Sequence, residues 1–163
     1  MAVLVLRDYR ETDLPTVWRL HNEGLRQTGS HGGNGPWDDD LSTIPATYLD
    51  DHGAFVIAEL DGKLVGMGAL RRVSVSSAEI KRMRVDPATQ RQGIGHAILV
   101  DLEARAVRLG YRELRLDTTS MQHSAQRLYQ RCGFDEIRRV EGPNSLRHMQ
   151  IIYMRKTIAA EGR

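Results

Sequence analysis

The run Gln90-Arg91-Gln92-Gly93-Ile94-Gly95-His96 stands between a strand-like segment at 78–85 and an amphipathic helix. A glycine-rich turn from strand to helix lets backbone N–H groups converge on an anion with no Cβ in the way, and the positive end of the helix dipole faces the same point. The helix beyond the turn is well marked. Ile94, Ile98, Leu102, Ala106 and Leu109 recur at helical spacing, Asp101 can pair with Arg105, and Gly110 closes the helix after Arg105 and Arg108.

Neighbouring residues narrow the ligand that such a turn can hold. A nucleotide P-loop needs Gly-Lys-Ser or Gly-Lys-Thr, and the residues after Gly95 are His96 and Ala97. A dinucleotide fingerprint needs a third glycine where Ile98 stands, although Asp117 lies about 20 residues on, where a ribose-binding acid belongs. A dinucleotide-dependent oxidoreductase is therefore a weak alternative. The stretch Ala78-Glu79-Ile80-Lys81-Arg82-Met83-Arg84-Val85-Asp86-Pro87, then Gln90-x-x-Gly93-x-Gly95, resembles the acyl-CoA signature of the GNAT superfamily of N-acetyltransferases. Downstream, Ala125-x-x-Leu128-Tyr129-x-x-x-Gly133-Phe134 is similar to the second signature of that family. The resemblance spans about positions 53 to 140. One position departs from it: the asparagine usual three residues before the alanine is Gln122 here, which keeps the amide and adds a methylene.

The remaining pattern is that of an α/β sheet with an antiparallel first half and a helical crossover. Residues 2 to 8 read as a strand, and Thr12 or Asp13 can cap a helix running to about His21. Gly29 to Pro36 is the most flexible segment by composition, and short helical pieces come next, starting at Asp38-Asp39-Asp40 and Thr43-x-Pro45 and ending near Leu49. Ala54 to Leu60 and Lys63 to Arg72 form a hairpin about Asp61-Gly62, and Ala78 to Val85 adds a third antiparallel strand. In that third strand the apolar positions 80, 83 and 85 slip by one residue from strict alternation, as a β-bulge requires. Leu114, Leu116 and Thr118 then alternate as a strand parallel to it, because a helix separates the two. A helix from about Ser120 to Cys132 and strands near 134–140 and 148–155 complete a mixed sheet flanked by helices.

Bulk properties limit the function. With 163 residues and 40% hydrophobic content, one domain over residues 1–163 is expected. A net charge of +2 with dispersed arginines indicates no nucleic-acid partner, and no apolar run approaches the roughly 18 residues of a membrane span. The apolar start, Met1 to Leu6, reads as a strand rather than a signal segment. A lone cysteine, Cys132, has no partner for an internal disulfide, and a cytoplasmic setting fits. Cys132 shares the apolar stripe of its helix far from the positive N-terminus, so it reads as a packed thiol. The six histidines show no metal-ligand spacing, and no metal is expected.

The resemblance implies that two parallel strands part at the bulge and receive the pantetheine arm of acetyl-CoA. It also implies that the glycine turn holds the pyrophosphate. Met83, Arg84, Val85, the turn Gln90, Arg91, Gln92, Gly93, Ile94, Gly95 and His96, and Gln122 and Tyr129 are then the acetyl-CoA contacts. Tyr129 is the candidate general acid, and Glu79 the candidate base that takes a proton from the incoming ammonium. The bulge also frees a backbone N–H near Val85 that can face the thioester oxygen. The expected activity is direct acetyl transfer from acetyl-CoA to the primary amine of a small molecule or peptide, with a homodimer possible. The alternative within the same fold is a catalytically weak acyl-CoA sensor. Acceptor choice is expected from the N-terminal part, where Trp18, the 29–36 loop, Trp37 and the aspartates 38–40 lie; those aspartates can recruit a cationic amine or simply favour a helix start.

Overall fold

A computed structural model describes residues 2–31 and 33–159. Met1 of the apolar start and Gly32 of the glycine loop lie outside them. Strands run over Leu4–Asp8 (β1), Ala54–Leu60 (β2), Lys63–Arg72 (β3), Ser77–Val85 (β4), Glu113–Thr119 (β5), Asp135–Glu141 (β6) and Gln150–Thr157 (β7). Among the described residues three α-helices span Leu14–Gln27 (α1), Ile94–Arg108 (α2) and His123–Arg131 (α3). The sheet order is β1-β2-β3-β4-β5-β7-β6, antiparallel throughout except for the central β4–β5 pair.

The expected phase slip in β4 is a bulge. Met67 pairs with Arg84 and Ala69 with Lys81, so Gly68 alone faces Arg82 and Met83 together. Arg82 absorbs the extra residue with a left-handed backbone, φ +58°. On its other edge β4 pairs with β5 only at Ser77–Glu113, Ala78–Leu114 and Glu79–Arg115. Beyond Glu79 the two strands part.

Each face of the sheet carries its own core. In β2 the alternation sends Val56 and Ala58 toward α2, where Ile98, Leu99 and Leu102 are sealed, while Phe55 and Ile57 meet Val17, Leu20, Leu41 and Tyr48 on the α1 side. Fully burying each such aliphatic side chain is worth about 1.5–3 kcal/mol. Glycine sets how closely α2 approaches. A Cβ at Gly68 would stand 2.6 Å from Ile98 Cγ2, 2.7 Å from Met83 Sδ and 3.0 Å from Leu102 Cδ1.

The largest boundary differences from the sequence reading are at two helices. Helix α1 continues past His21 to Gln27, through Gly24, whose missing Cβ leaves room for the Arg84 side chain; a Cβ there would be 2.7 Å from Arg84 Cδ. Helix α3 starts at His123 rather than near Ser120, because Ser120 N–H donates to the Gln150 carbonyl and Gln122 N–H to that of Thr119.

Gly68→Ala forces its methyl into the α2 seam and is expected to destabilise the fold by about 1–3 kcal/mol, the usual cost of overpacking. Urea unfolding at constant m-value measures it, and an unchanged midpoint would mean that α2 does not rest on the bulge.

Candidate active site

Two cavities meet where β4 and β5 diverge. The first, about 690 Å³, runs along the turn before α2. Gly93 is the residue before the helix, with φ +77°, and Arg91 has φ +67°. No side chain caps the helix, and its first backbone-bonded N–H is that of Ala97, which donates to Gly93. The amides of Ile94, Gly95 and His96 are therefore free to face an anion, as the first N–H groups of a helix are. Gly95 sits closely against α3 and β4, where a Cβ would be 3.4 Å from Leu128 Cδ2 and 3.7 Å from Val85 Cγ2.

Of the turn residues named from the sequence, Gln90, Arg91, Gly93, Ile94, Gly95 and His96 line this cavity; Gln92 does not. Met83, Arg84 and Val85 line it from β4, and Gln122 and Tyr129 from the α3 side. The sequence reading missed Arg127 and Arg131, one helical turn apart on α3, and Gln27 at the end of α1. Their spacing of four was the available signal. Gln27 and Gln90 exchange side-chain amide bonds of 3.3 and 3.1 Å, which ties α1 to the turn.

The second cavity, about 490 Å³, opens on the α1 side of the sheet. Glu79, Lys81, Asp117, Trp37 and His21 line it. The cavities share five residues: Met83, Arg84, Gln122, Ala125 and Tyr129. Tyr129 is buried, packs edge-on against Phe134 at 6.0 Å, and makes no side-chain hydrogen bond among the described residues. Burial pushes its phenol up to about 12, against the pull of the Arg84 charge, so it holds its proton at neutral pH. Burial also raises the Glu79 carboxyl, opposed by Lys81 at 3.9 Å and reinforced by Asp117. The Gln122 side-chain oxygen is occupied, accepting from Thr118 Oγ1 at 3.0 Å and Thr119 N–H at 3.3 Å.

The acidic run between α1 and β2 is mostly internal wiring. Asp38 contacts His21 Nε2 at 2.9 Å and accepts from Asn34, and Arg82 Nη1 lies 3.5 Å away. Asp40 takes Arg82 in a two-pronged pair and accepts from the Tyr48 hydroxyl. Of the three aspartates, only Asp39 is exposed. His21 is driven down to about 4 by burial, with Arg84 and Arg82 adding to the shift, so the buried imidazole is neutral at pH 7. Residues of the glycine-rich loop are tethered: Ser30 Oγ lies 2.9 Å from Thr119 Oγ1, His148 Nε2 lies 2.9 Å from the Gly29 carbonyl oxygen, and Trp37 Nε1 donates to Gly33. Cys132 ends α3, half-buried against the core, and burial raises its thiol. Among the described residues no cluster of three or more metal-binding side chains occurs, and no helix is long and apolar enough to cross a membrane.

A model of the acetyltransferase (GNAT) family matches residues 14–134, so the match begins at α1, well before position 53. Human N-acetyltransferase 8 is 38% identical over 101 residues, covering 58% of this chain and 44% of that protein. N-acetylaspartate synthetase of Xenopus tropicalis is 33% identical over 104 residues, covering 63% and 38%. The chain spans less than half the length of these curated relatives. Among solved structures, a GNAT-family acetyltransferase of Staphylococcus aureus superposes with a TM-score of 0.84 at 18% identity, over 96% of this chain and all of that one. The Salmonella typhimurium protein yncA, solved with its cofactor acetyl-CoA, gives 0.80 at 18% identity, over 98% and 96%.

Proposed function

Because this chain belongs to the acetyltransferase (GNAT) family, we propose that it is an acetyl-CoA-dependent N-acetyltransferase that passes an acetyl group to a primary amine by direct attack in a ternary complex. The observation that carries this reading is the junction of the two cavities at Tyr129 and Met83. One cavity carries the glycine turn and the other carries Glu79, so donor and acceptor can approach the same point from two separate cavities.

In this reading the free amides at the start of α2 hold the pyrophosphate, with Gln90 and Arg91 around the turn and Arg127 and Arg131 adding charge from α3. The backbone of Met83, Arg84 and Val85, left without a partner on the β5 side beyond Glu79, hydrogen-bonds the pantetheine arm, and a β4 amide near Val85 polarises the thioester carbonyl. Gln122 contributes its amide nitrogen, since its oxygen is engaged by β5. Glu79, raised by burial, takes the first proton from the ammonium; the amine then forms the C–N bond as the C–S bond breaks, Tyr129 protonates the departing thiolate, and the second proton released by the new amide nitrogen restores the phenol.

Gly93→Asp keeps a residue type that tolerates a left-handed backbone but adds bulk and negative charge at the anion site. Acetyl-CoA affinity by calorimetry should be lost, and retained affinity would remove the turn from donor binding. Tyr129→Phe should lower kcat roughly 10²–10⁴-fold, the usual worth of a general acid, with acetyl-CoA Kd little changed; unaltered turnover would take the residue out of the mechanism. Glu79 acts only when ionised. The rate should therefore fall as pH drops through its raised pKa, giving an acid limb above the ordinary carboxylate range, and Glu79→Gln should abolish that limb while slowing the reaction. A limb that survives the substitution would assign the base elsewhere.

A further inference from the structure

Among the described residues Arg84 is a cation with a sealed, unpartnered side-chain nitrogen and no counter-ion. Its neighbour in the bulge, Arg82, is matched by Asp40 and Asp38, and Arg7 by Asp13 and Glu59. Arg84 has no salt bridge among the described residues. Its Nη1 donates to the carbonyl of Met83 at 2.7 Å, while Nε is sealed from solvent with no partner. Burial and the Arg82 charge pull it down to about 10, the direction expected of a cation that pays for desolvation without an anion in return. Helix α1 accommodates this side chain at Gly24, where any larger residue would strike Cδ. Arg84 borders both cavities at their junction.

The charges around the acceptor cavity nearly cancel in pairs. Lys81 answers Glu79, Arg82 answers Asp38 and Asp40, and His21 is neutral. What is left is Arg84 on β4 and the exposed carboxylate of Asp117 on β5, which has no salt bridge among the described residues. One positive and one negative group therefore face the same space across the gap between the strands. A molecule with one charge of each sign fits that arrangement better than a plain alkylamine, for which Arg84 would be a repulsive neighbour.

We propose that Arg84 is the carboxylate receptor of the acceptor cavity, and that the acceptor is an amino acid whose ammonium faces Asp117 and Glu79. This rests on the acetyltransferase reading and names its substrate class. Arg84 is a specificity residue here: it holds the acceptor and exchanges no proton. The backbone of the same residue serves the donor, and the side chain serves the acceptor.

The test measures thiol release from acetyl-CoA with the standard L-amino acids and, separately, with their carboxamides, which keep the amine and lose the negative charge. The native protein should favour at least one acid over its amide by about 10- to 100-fold in kcat/KM, the worth of a charge-assisted bond, and mainly through KM. In Arg84→Met that preference should collapse to near unity, with Arg84→Lys restoring part of it. Removing an uncompensated charge should leave the melting temperature unchanged or raised, which shows that the variant folds. Acids and amides used equally by the native protein would overturn the assignment while leaving acetyl transfer intact. Equal losses for both, accompanied by weakened acetyl-CoA binding, would overturn it by giving the side chain to the donor. Failure of the native protein to bind acetyl-CoA or release thiol with any amine would overturn the acetyltransferase reading and this proposal with it.

Discussion

Only three residue pairs join β4 to β5 before the strands separate, and the geometry of both cavities descends from that separation. A parallel pair in mid-sheet would ordinarily continue for the length of the shorter strand, because each unmade backbone bond leaves a polar group to be satisfied elsewhere. Here Arg82 turns through a left-handed conformation opposite Gly68, which bends and twists β4 locally just past the last paired residue. From Ile80 to Val85 the backbone stays paired with β3 on either side of the bulge and loses its neighbour on the other side. That exposed edge is a row of donors and acceptors inside the protein, a template for an amide-containing ligand.

The bulge is held from both faces. On one face Gly68 admits Ile98 and Leu102 of α2 to the sheet, so the helix whose N-terminus forms the anion turn is seated on the same residue that faces the bulge. On the other face the Arg82 guanidinium is tied to Asp40 and Asp38, and through Asp38 to His21 of α1. A left-handed arginine carries a backbone cost of order 1–3 kcal/mol, and charge-assisted bonds of this kind are of comparable size. The acidic segment before β2 thus acts at a distance on the slot.

Periodicity exposes most of this architecture because it reports burial directly. The strands β2 to β5, the α2 helix and the slip in β4 all derive from which positions are apolar. The match with the family model at 14–134 bears out the superfamily that the two glycine and tyrosine motifs indicate. Helix α1 reads too short in the sequence because the one-sided pattern that marks it is read only as far as Leu20 and His21; the packed Arg84 explains the glycine at position 24 in mid-helix. The aspartates 38–40 carry two meanings in the sequence for the same reason. A run of acids looks alike whether it meets solvent, substrate or arginine, and its partner Arg82 lies 42 positions away in sequence from Asp40. The α3 arginines read as solvated, since sequence spacing places them on one face without saying what that face borders.

The central strand also carries three cations, Lys81, Arg82 and Arg84 around Met83, where a buried strand would normally be apolar. Two of the three are answered within the chain and one is not, although Arg84 is the one whose Nε is sealed from water. Stability alone gives no reason for this, because an apolar residue at 84 would pack against Gly24 without a desolvation cost. Placing a rigid, permanently charged fork there does make sense for recognition, since a pre-positioned donor loses little entropy when its anion arrives. The sheet thereby divides the work of one residue: its main chain runs along the donor slot, while its side chain crosses to the opposite face and sets the charge that an acceptor must bring.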